Sequence, residues 1–454
     1  RRPPRSTLIP YTTLFRSIQT YDKVIGKSLP IDEVISNLKT DSQGKSQVNA
    51  YGLSKDDPLK AKIQEISSEA LLDQGLGIIS IRKNADGKWE RTNSDADRRI
   101  SGISGLEDGR YLKSTGPAVV VFNKQQGLGY TDKLGDRIIG SFGNCAGGTT
   151  PWGTVLSAEE NFQAQVPEPV YADGTSFSPD KVPFILSKGD LFGQGNVFGL
   201  AGNKYGWIVE VDPANPNDYG TKHTWLGRYR HEAVGVRVES GKPLAFYSGC
   251  DRRGGHVYKF VSRGKVSNPQ DKSNSRLLSE GTLYVAKFDS NGTGSWIALN
   301  ADTPVNPDLP SNIAGKLLNL PLGPQSPEQK QTLFEVPEPI KGNYFAASND
   351  EEIARYKQQF KKLGDLYTGN AEEKQGVILI DAHYAANAIG ATCTARPEDT
   401  EIAPNGDLYI SFTSGSPSKD GGPDIRIFKG PNGETPYEYG WVMRLIEDRN
   451  NHAA

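Results

Sequence analysis

Short β-prone runs that end in turn residues are the feature that most limits how this chain can fold. Glycine occurs 50 times and proline 29 times among 454 residues. Apolar and β-branched runs bounded by Gly, Asn or Asp are typical of strands. Such runs recur along the chain: Ile78–Arg82, Val119–Phe122, Trp207–Val211, Leu244–Ser248, Val257–Val261, Leu283–Phe288, Gly376–Ile380 and Asp407–Phe412. The pattern predicts an all-β barrel, sandwich or propeller, and the chain length favours a propeller.

Several of these runs are paired into predicted hairpins. Asp289–Gly292 is a strong turn signal between the runs Leu283–Phe288 and Trp296–Leu299. The loop Gly249–Gly255 joins another pair of runs in the same way. No strict repeat of the WD40 or kelch kind is visible, so periodicity alone does not fix the number of blades.

Helical and loop insertions interrupt the strand pattern. Apolar spacing predicts helices at Ile31–Leu38 and around Ile63–Leu71, and a charged helix within Asn349–Leu363. Asp302–Gln329 is predicted to be a proline-punctuated loop. We expect the last two segments to cover one face of the β core.

The chain divides into three predicted segments. Residues 1–17 resemble a translated sequencing adapter, and they lack the continuous apolar run of a targeting peptide. We therefore expect them to be non-native or disordered. Residues 18–76 form an irregular and helical segment that leads into the β domain, and residues 77–454 form that domain.

Charge balance and cysteine count exclude several function classes. The net charge is −2, so we expect neither nucleic acid nor an anionic membrane surface as a partner. No apolar run approaches the ~20 residues of a membrane-spanning helix. The three cysteines, Cys145, Cys250 and Cys393, are too few for a disulfide framework, although one pair could bridge.

The stretch Asn144–Asn161 carries the strongest chemical signal. Cys145 opens a glycine-rich loop, and Glu159 and Glu160 follow a short apolar run. One thiolate and two carboxylates within reach of one centre suit a site for several metal ions better than a packed core.

Three further loops bear charged residues beside β-prone runs. Glu232 follows a basic run, and a solvated surface charge is the alternative interpretation there. Arg252 and Arg253 lie in a glycine-rich loop after Asp251, and paired guanidinium groups suit an anion. The alternative is a plain hairpin turn. The last loop is Ala395–Asp399, where a proline separates an arginine from a glutamate; a plain turn is again the alternative.

Taken in order, these motifs closely resemble the signature of the PhoX-type alkaline phosphatases. The resemblance covers most of residues 75–445 and rests on the following elements: Asp97–Ile100, Asn144–Asn161, Tyr205–Trp207 with Glu210, His231–Glu232, Asp251–Gly255, and Gly390–Thr392 with Arg396–Glu398. Six ordered motifs are much more specific than any one of them. The chain is therefore identified as a member of this family.

The resemblance implies an all-β, six-bladed β-propeller, expected to be incomplete in this chain, with a central cluster of iron and calcium ions. It implies an exported alkaline phosphatase, in the periplasm or outside the cell, that hydrolyses small phosphate monoesters. We expect a monomer. Carried onto this chain, the implied metal ligands are Cys145, Glu159, Glu160, Glu232, Asp251 and Glu398. Arg396 would hold the substrate phosphate, and Arg253 is expected to act with it in the catalytic site.

Other hydrolase classes and a non-enzymatic role are the alternatives to a phosphatase. The chain has neither an H-E-x-x-H zinc motif nor a Gly-x-Ser-x-Gly elbow, and Cys145 lacks a local histidine that would make it a nucleophile. A calcium-dependent propeller lactonase remains an alternative, and it would not need Cys145. A calcium-stabilised propeller scaffold is the other alternative, and it would show no turnover.

The sequence departs from the family pattern at several points. Cys250 stands where an Asp is usual, and Cys393-Thr394-Ala395 replaces a more usual Pro-Met-Asp. The family's early Asn-His-Glu motif is absent upstream of Ile78, and the sequence stops at Ala454, before the usual final acidic segment. We therefore expect a fragment with unpaired sheet edges, lower stability and fewer calcium sites than a full homologue.

Overall fold

The computed structural model describes residues 29–40, 46–187, 190–324 and 343–448. The leader predicted at residues 1–17 and the end of the predicted loop Asp302–Gln329 lie outside the described residues. Strands dominate, and they are β1 (Lys39–Thr40), β2 (Ser46–Val48), β3 (Leu76–Ile78), β4 (Ile81–Lys83), β5 (Trp89–Arg91), β6 (Arg98–Ile100), β7 (Lys113–Thr115), β8 (Asn144–Thr149), β9 (Val155–Glu159), β10 (Phe184–Leu186), β11 (Leu191–Phe192), β12 (Ile208–Val211), β13 (Thr221–His223), β14 (His231–Arg237), β15 (Pro243–Cys250), β16 (Arg253–Gly255), β17 (Val257–Lys265), β18 (Gly281–Phe288), β19 (Gly294–Ala298), β20 (Leu318–Pro321), β21 (Tyr344–Ala347), β22 (Thr394–Ala395), β23 (Pro397–Ile402), β24 (Leu408–Phe412) and β25 (Trp441–Leu445). The fold is therefore mostly β, as predicted.

The strands form separate sheets, and none of those described closes into a barrel. Two sheets have five strands, in the orders β7-β13-β12-β9-β8 and β14-β15-β17-β18-β19. A four-stranded sheet has the order β1-β2-β10-β11, a three-stranded sheet has the order β23-β24-β25, and the remaining sheets are two-stranded. Several small sheets are consistent with blades, but the six-bladed ring stays a prediction.

The predicted hairpins are confirmed. Strands β18 and β19 pair antiparallel across the Asp289–Gly292 turn, where Gly292 has a φ of 85°. That left-handed backbone is accessible to glycine at little cost. Strands β15 and β17 pair antiparallel on either side of the Gly249–Gly255 loop.

The described helices are short: α1 (Ile31–Asn37), α2 (Pro58–Leu72), α3 (Ala118–Phe122), α4 (Asp350–Gln359), α5 (Ala371–Ile380) and α6 (Ala382–Ala388). Helices α1, α2 and α4 confirm the three predicted helices. None of the described helices is long and apolar enough to span a bilayer.

Two runs predicted as strands are helical instead. Val119–Phe122 lies in α3 and Gly376–Ile380 lies in α5, and the two helices are packed in the main hydrophobic core. A continuous apolar run does not distinguish a buried strand from a buried helix. The start of α5 has a capping box, in which Asn370 and Glu373 exchange side-chain-to-backbone hydrogen bonds. That capping box stabilises the first turn of α5 and therefore favours a helix over a strand.

Within the described residues, three hydrophobic clusters stabilise the sheets and helices. The largest contains both five-stranded sheets together with α3 and α5. A second lies between α1, α2 and β10, around Val34, Ile63 and Phe184. The third joins β15 to the sheet β23-β24-β25 through Tyr247 and Ile410. The third cluster matters most for function, because it fixes the strands that carry two of the candidate ligands.

Candidate metal centre

Irregular strand pairing positions three of the predicted ligands. The register of β8 and β9 shifts between Asn144 and Gly147, and Cys145 lies in that interval. The register of β14 against β15 shifts between His231 and Val234, around Glu232. The register of β23 against β24 shifts between Pro397 and Thr400, around Glu398. Bulges of this kind turn a side chain away from the normal alternation of a strand, and they are common beside active sites.

Two other ligands lie directly after strands. Glu160 follows the last residue of β9, and its backbone N–H donates to Gly143 O at 2.9 Å. Asp251 follows the last residue of β15, and its N–H donates to Arg230 O at 2.9 Å. Both residues are therefore held by backbone hydrogen bonds at the point where regular pairing stops.

The five residues form two overlapping groups. The Cys145 sulfur and carboxylate oxygens of Glu160 and Glu232 lie within 4.8 Å of one another. Carboxylate oxygens of Glu232, Asp251 and Glu398 lie within the same distance of one another. Glu232 belongs to both groups and links them into one cluster. The structure thus brings together five of the six predicted metal ligands.

Burial and mutual repulsion disfavour the charged forms of these groups. Burial and the charges of its carboxylate neighbours raise the pKa of Glu232 to about 9. Burial and Asp251 raise the pKa of Glu160 to about 8. Burial raises the pKa of the Cys145 thiol well above its usual range, and Glu232 and Glu160 add to the effect. Without a cation, this arrangement is electrostatically unfavourable.

The sixth predicted ligand, Glu159, has a different role. Its carboxylate is fully buried and accepts hydrogen bonds from Lys222 Nζ at 2.7 Å and Ser141 Oγ at 2.9 Å. The backbone N–H groups of Gly206 and Trp207 donate to its other oxygen at 2.9 and 3.1 Å. Successive side chains of a strand point to opposite faces, and Glu159 is on the face away from the cluster. It anchors β9 and leaves no oxygen for a metal ion.

Arg396 lies at the edge of the cluster. Its Nη2 donates to Asp251 Oδ2 at 2.7 Å and is 3.2 Å from Glu398 Oε1. Although burial opposes it, the bond to Asp251 raises the pKa of Arg396. Its φ of 59° is unusual for a residue with a side chain and lies directly before Pro397. Strained backbone of this kind persists where the surroundings fix it, often at functional sites.

The cluster opens into a cleft of about 620 Å³. The lining residues are Glu160, Asn161, Phe192, Arg230, Glu232, Asp251, Arg252, Arg253, Arg396, Glu398, Ser418 and Asp420. Four carboxylates of the cluster thus face the same space as four arginines. Such a cleft can hold cations at one wall and an anion between them and the arginines.

Arg253 is brought into the cleft but not onto the cluster. Its Nη1 donates to Ser414 Oγ at 2.6 Å and to Ser416 O, and it is 3.8 Å from Glu438. Strand β16 pairs with β22, so that Arg253 lies opposite Ala395, the neighbour of Arg396. Arg253 lies in β16, and Arg396 directly follows its partner strand β22, but only Arg396 contacts the carboxylates of the cluster.

Three charged residues, two in the cleft and one behind it, are missing from the sequence-based set. Glu168, behind the cleft, forms ion pairs with Arg230 at 2.8 Å and with Arg252, and Asp420 approaches Arg230 at 3.2 Å. Although burial opposes it, the two guanidinium groups hold the pKa of Glu168 at about 2. A glutamate between two prolines, as in Pro167-Glu168-Pro169, is a signal for a fixed side chain. Arg230 and Asp420 carry no comparable local signal.

The donor set fits a mixed metal centre. Carboxylate oxygens suit a hard cation such as calcium, and a thiolate suits a transition metal such as iron. Asp251 Oδ1 is buried and has no hydrogen-bond partner among the described residues. A buried carboxylate oxygen that accepts no hydrogen bond needs another partner, and a bound cation would provide it.

Close packing couples two of the ligand strands. Gly249 of β15 lies against Pro397 of β23, where an added Cβ would be 2.7 Å from the proline Cβ and carbonyl oxygen. Asp251 and Glu398 follow these two residues by one or two positions. The absence of a side chain at Gly249 therefore sets how closely the two ligands approach.

Comparison with known proteins gives consistent matches. The family model described as alkaline phosphatase PhoX matches residues 41–454. The solved structure of Pseudomonas fluorescens PhoX in complex with vanadate, a transition state analogue, is similar, with a TM-score of 0.56 and 27% sequence identity. The match covers 86% of this chain and 58% of that chain, so this chain spans somewhat more than half of that relative. No curated protein matches the chain.

Proposed function

The chain belongs to the PhoX alkaline phosphatase family, and from that premise we propose that it hydrolyses phosphate monoesters at a mixed iron–calcium cluster. The observation that supports this best is the geometry of the five ligands. One thiol and four carboxyl groups meet around Glu232 in a cleft, although their charges repel one another. A fold keeps such a cluster only where cations or substrate compensate for the repulsion.

The two groups of ligands differ in chemistry. Cys145, Glu160 and Glu232 include the thiolate, so we assign iron to that side. Glu232, Asp251 and Glu398 offer oxygen only, so we assign calcium there. The bound ions would supply charge neutralisation at the phosphate and greater acidity of water at the site.

The chain's own residues bind and orient the phosphate. Arg396 offers a guanidinium group that matches phosphate oxygens, and its contacts with Asp251 and Glu398 fix it at the edge of the cluster. Its left-handed backbone before a proline restricts it further. Pre-organised charge of this kind lowers the barrier because it needs no rearrangement as charge develops.

The wider proposal concerns architecture and location. We infer a six-bladed propeller, acting as a monomer in the periplasm or outside the cell on small phosphate esters. The family resemblance supports these points. Sedimentation of the purified protein would test whether it is a monomer. Fractionation of the cells that make it would test its location.

A pair of glutamates on one strand gives a direct test of the site. Glu398 lies in the cluster, whereas Glu401, three residues along β23, is exposed. We expect Glu398→Gln to lower bound metal and to reduce p-nitrophenyl phosphate turnover about a hundredfold. Glu401→Gln, the matched control, should leave both unchanged. Equal turnover by the two variants would contradict the proposed site.

A further inference from the structure

The cleft contains more positive charge than one phosphate group needs. Beyond the metal ligands and Arg396, three arginines line it: Arg230, Arg252 and Arg253. We call these three residues the arginine wall. In the proposed function, Arg396 binds the phosphate at the edge of the cluster. The arginine wall lines the rest of the cleft, which is the space available to the alcohol part of the ester.

Two members of the wall are largely neutralised by protein carboxylates. Glu168 pairs with both Arg230 and Arg252 from behind the cleft. Arg252 is almost completely buried, and its guanidinium also lies over the Tyr384 ring at 5.7 Å. These contacts hold the Arg252 side chain in place, so it supports the wall and is not free to bind an anion.

Arg253 keeps unused binding capacity. Its Nη1 is held by Ser414 and Ser416, but its Nη2 and Nε have no partner among the described residues. The side chain is partly exposed, and Glu438, the only carboxylate of the described residues that pairs with it, is 3.8 Å away and mostly exposed. An ion pair of that kind is weak because water screens it. The guanidinium of Arg253 is thus fixed in place and still able to bind an anion.

Asp420 shows what kind of group fits the wall. Its carboxylate is 3.2 Å from Arg230 Nη1, inside the cleft, and it belongs to a turn closed by a hydrogen bond between Ser418 and Gly421. A carboxylate from the protein thus already lies against one arginine of the wall. Glu168 and Asp420 pair with Arg230 and Arg252, whereas Arg253 has only the long, exposed contact with Glu438. Arg253 is therefore the least compensated guanidinium group of the wall.

We propose that the arginine wall binds a second anionic group of the substrate, so that the preferred esters carry a carboxylate or another phosphate on the alcohol part. This inference rests on the proposed function. Arg253 is two residues from Asp251, so their Cα atoms are at most about 7 Å apart. Because both residues also line the same cleft, a short ester can contact the cluster and the wall at once. Arg253 is the main contact, and Arg230 contributes when Asp420 moves aside.

Two commercial esters isolate the effect. O-Phosphoserine and O-phosphoethanolamine share the same phosphate, chain and ammonium group, and they differ by one carboxylate. We expect kcat/KM for phosphoserine to exceed that for phosphoethanolamine about tenfold, which is what one charged hydrogen bond contributes at a partly exposed site. Substitutions in the wall should change this ratio, whatever they do to the rate with either ester.

Three variants test the assignment in opposite directions. Arg253→Gln should reduce the ratio to about one, and Arg253→Lys should keep part of it because the charge remains. Asp420→Asn should raise the ratio, because the competing carboxylate becomes neutral. Arg263→Gln, an exposed arginine of β17, is the matched control and should leave the ratio unchanged. Thermal unfolding of each variant shows whether it folds.

The outcomes distinguish failure of the proposed function from failure of the further inference. Turnover of neither ester by the native protein with its metals would contradict the proposed function, and the inference with it. Equal kcat/KM for both esters would overturn the inference alone. A ratio that is high in the native protein but unchanged in both Arg253→Gln and Asp420→Asn would overturn it as well.

Discussion

Neighbouring glutamates at the end of β9 should respond in opposite ways to the same substitution. Glu159 is fully buried and paired with Lys222, which is also fully buried. Glu160 lies in the cluster, where burial and carboxylate neighbours raise its pKa to about 8. We predict that Glu159→Gln destabilises the fold without removing a metal ligand. Glu160→Gln should weaken metal binding without destabilising the metal-free fold.

The magnitude follows from the contacts of Glu159. Glutamine removes the charge that compensates Lys222 and directs an NH₂ group at donors that need an acceptor. Removing one partner of a buried ion pair costs about 3–5 kcal/mol. Against a total stability of roughly 5–15 kcal/mol, this is a large loss. In contrast, Glu160→Gln relieves repulsion in the metal-free cluster, so its effect on metal-free stability is close to zero or slightly favourable.

Urea unfolding with and without chelator measures both effects. Each variant is compared with the native sequence at one pH, and bound metal is measured on the same samples. We expect Glu159→Gln to lower the urea midpoint even with chelator, and to keep metal when folded. If Glu159→Gln were as stable as the native sequence but lost metal, Glu159 would be a ligand and the assignment of its buried pair would be wrong.

Three other predictions follow from the site. Without metal, the folded state keeps protons on Glu160 and Glu232 between pH 4.5 and about 8 to 9, where the unfolded state has lost them. The free energy of unfolding, measured with chelator present, should therefore fall as pH rises through this window, by about 1.4 kcal/mol per pH unit for each group. A urea midpoint that rises from pH 5 to pH 8 would refute this. Gly249→Ala should lower metal affinity, because its Cβ would push two ligand strands apart. Gly77→Ala in β3, where an added Cβ has no neighbour within 4 Å, should bind metal normally, and equal affinity in the two would argue against the coupling. Cys145→Ser should remove thiolate-to-iron absorption in the visible spectrum of the iron-loaded protein, and a spectrum identical to the native one would exclude the thiol as a ligand.

The sequence predicted strands better than it predicted short buried helices. Asp289–Gly292 carries its turn chemistry locally, so its hairpin was predictable. Val119–Phe122 was not, because β-branched residues favour strands in isolation and only packing against a second helix makes this run helical. Packing between distant segments is not visible in a local pattern.

The sequence predicted the ligands that lie in recognisable motifs, but not which of two adjacent side chains faces the cleft. Cys145, Glu232 and Glu398 lie in motifs, and the structure brings them together. Which of the adjacent Glu159 and Glu160 faces the cleft depends on the register of β9, and a shift of one residue reverses the faces. Sequence spacing does not determine that register.

The most direct test of the central claim is reconstitution of activity after chelation. The native protein is stripped of metal, and p-nitrophenyl phosphate turnover is measured as iron and calcium are returned separately and together, with bound metal quantified each time. We predict no turnover after stripping and recovery only when both metals are bound. Turnover that survives complete removal of metal, or none with both metals bound, would contradict the account.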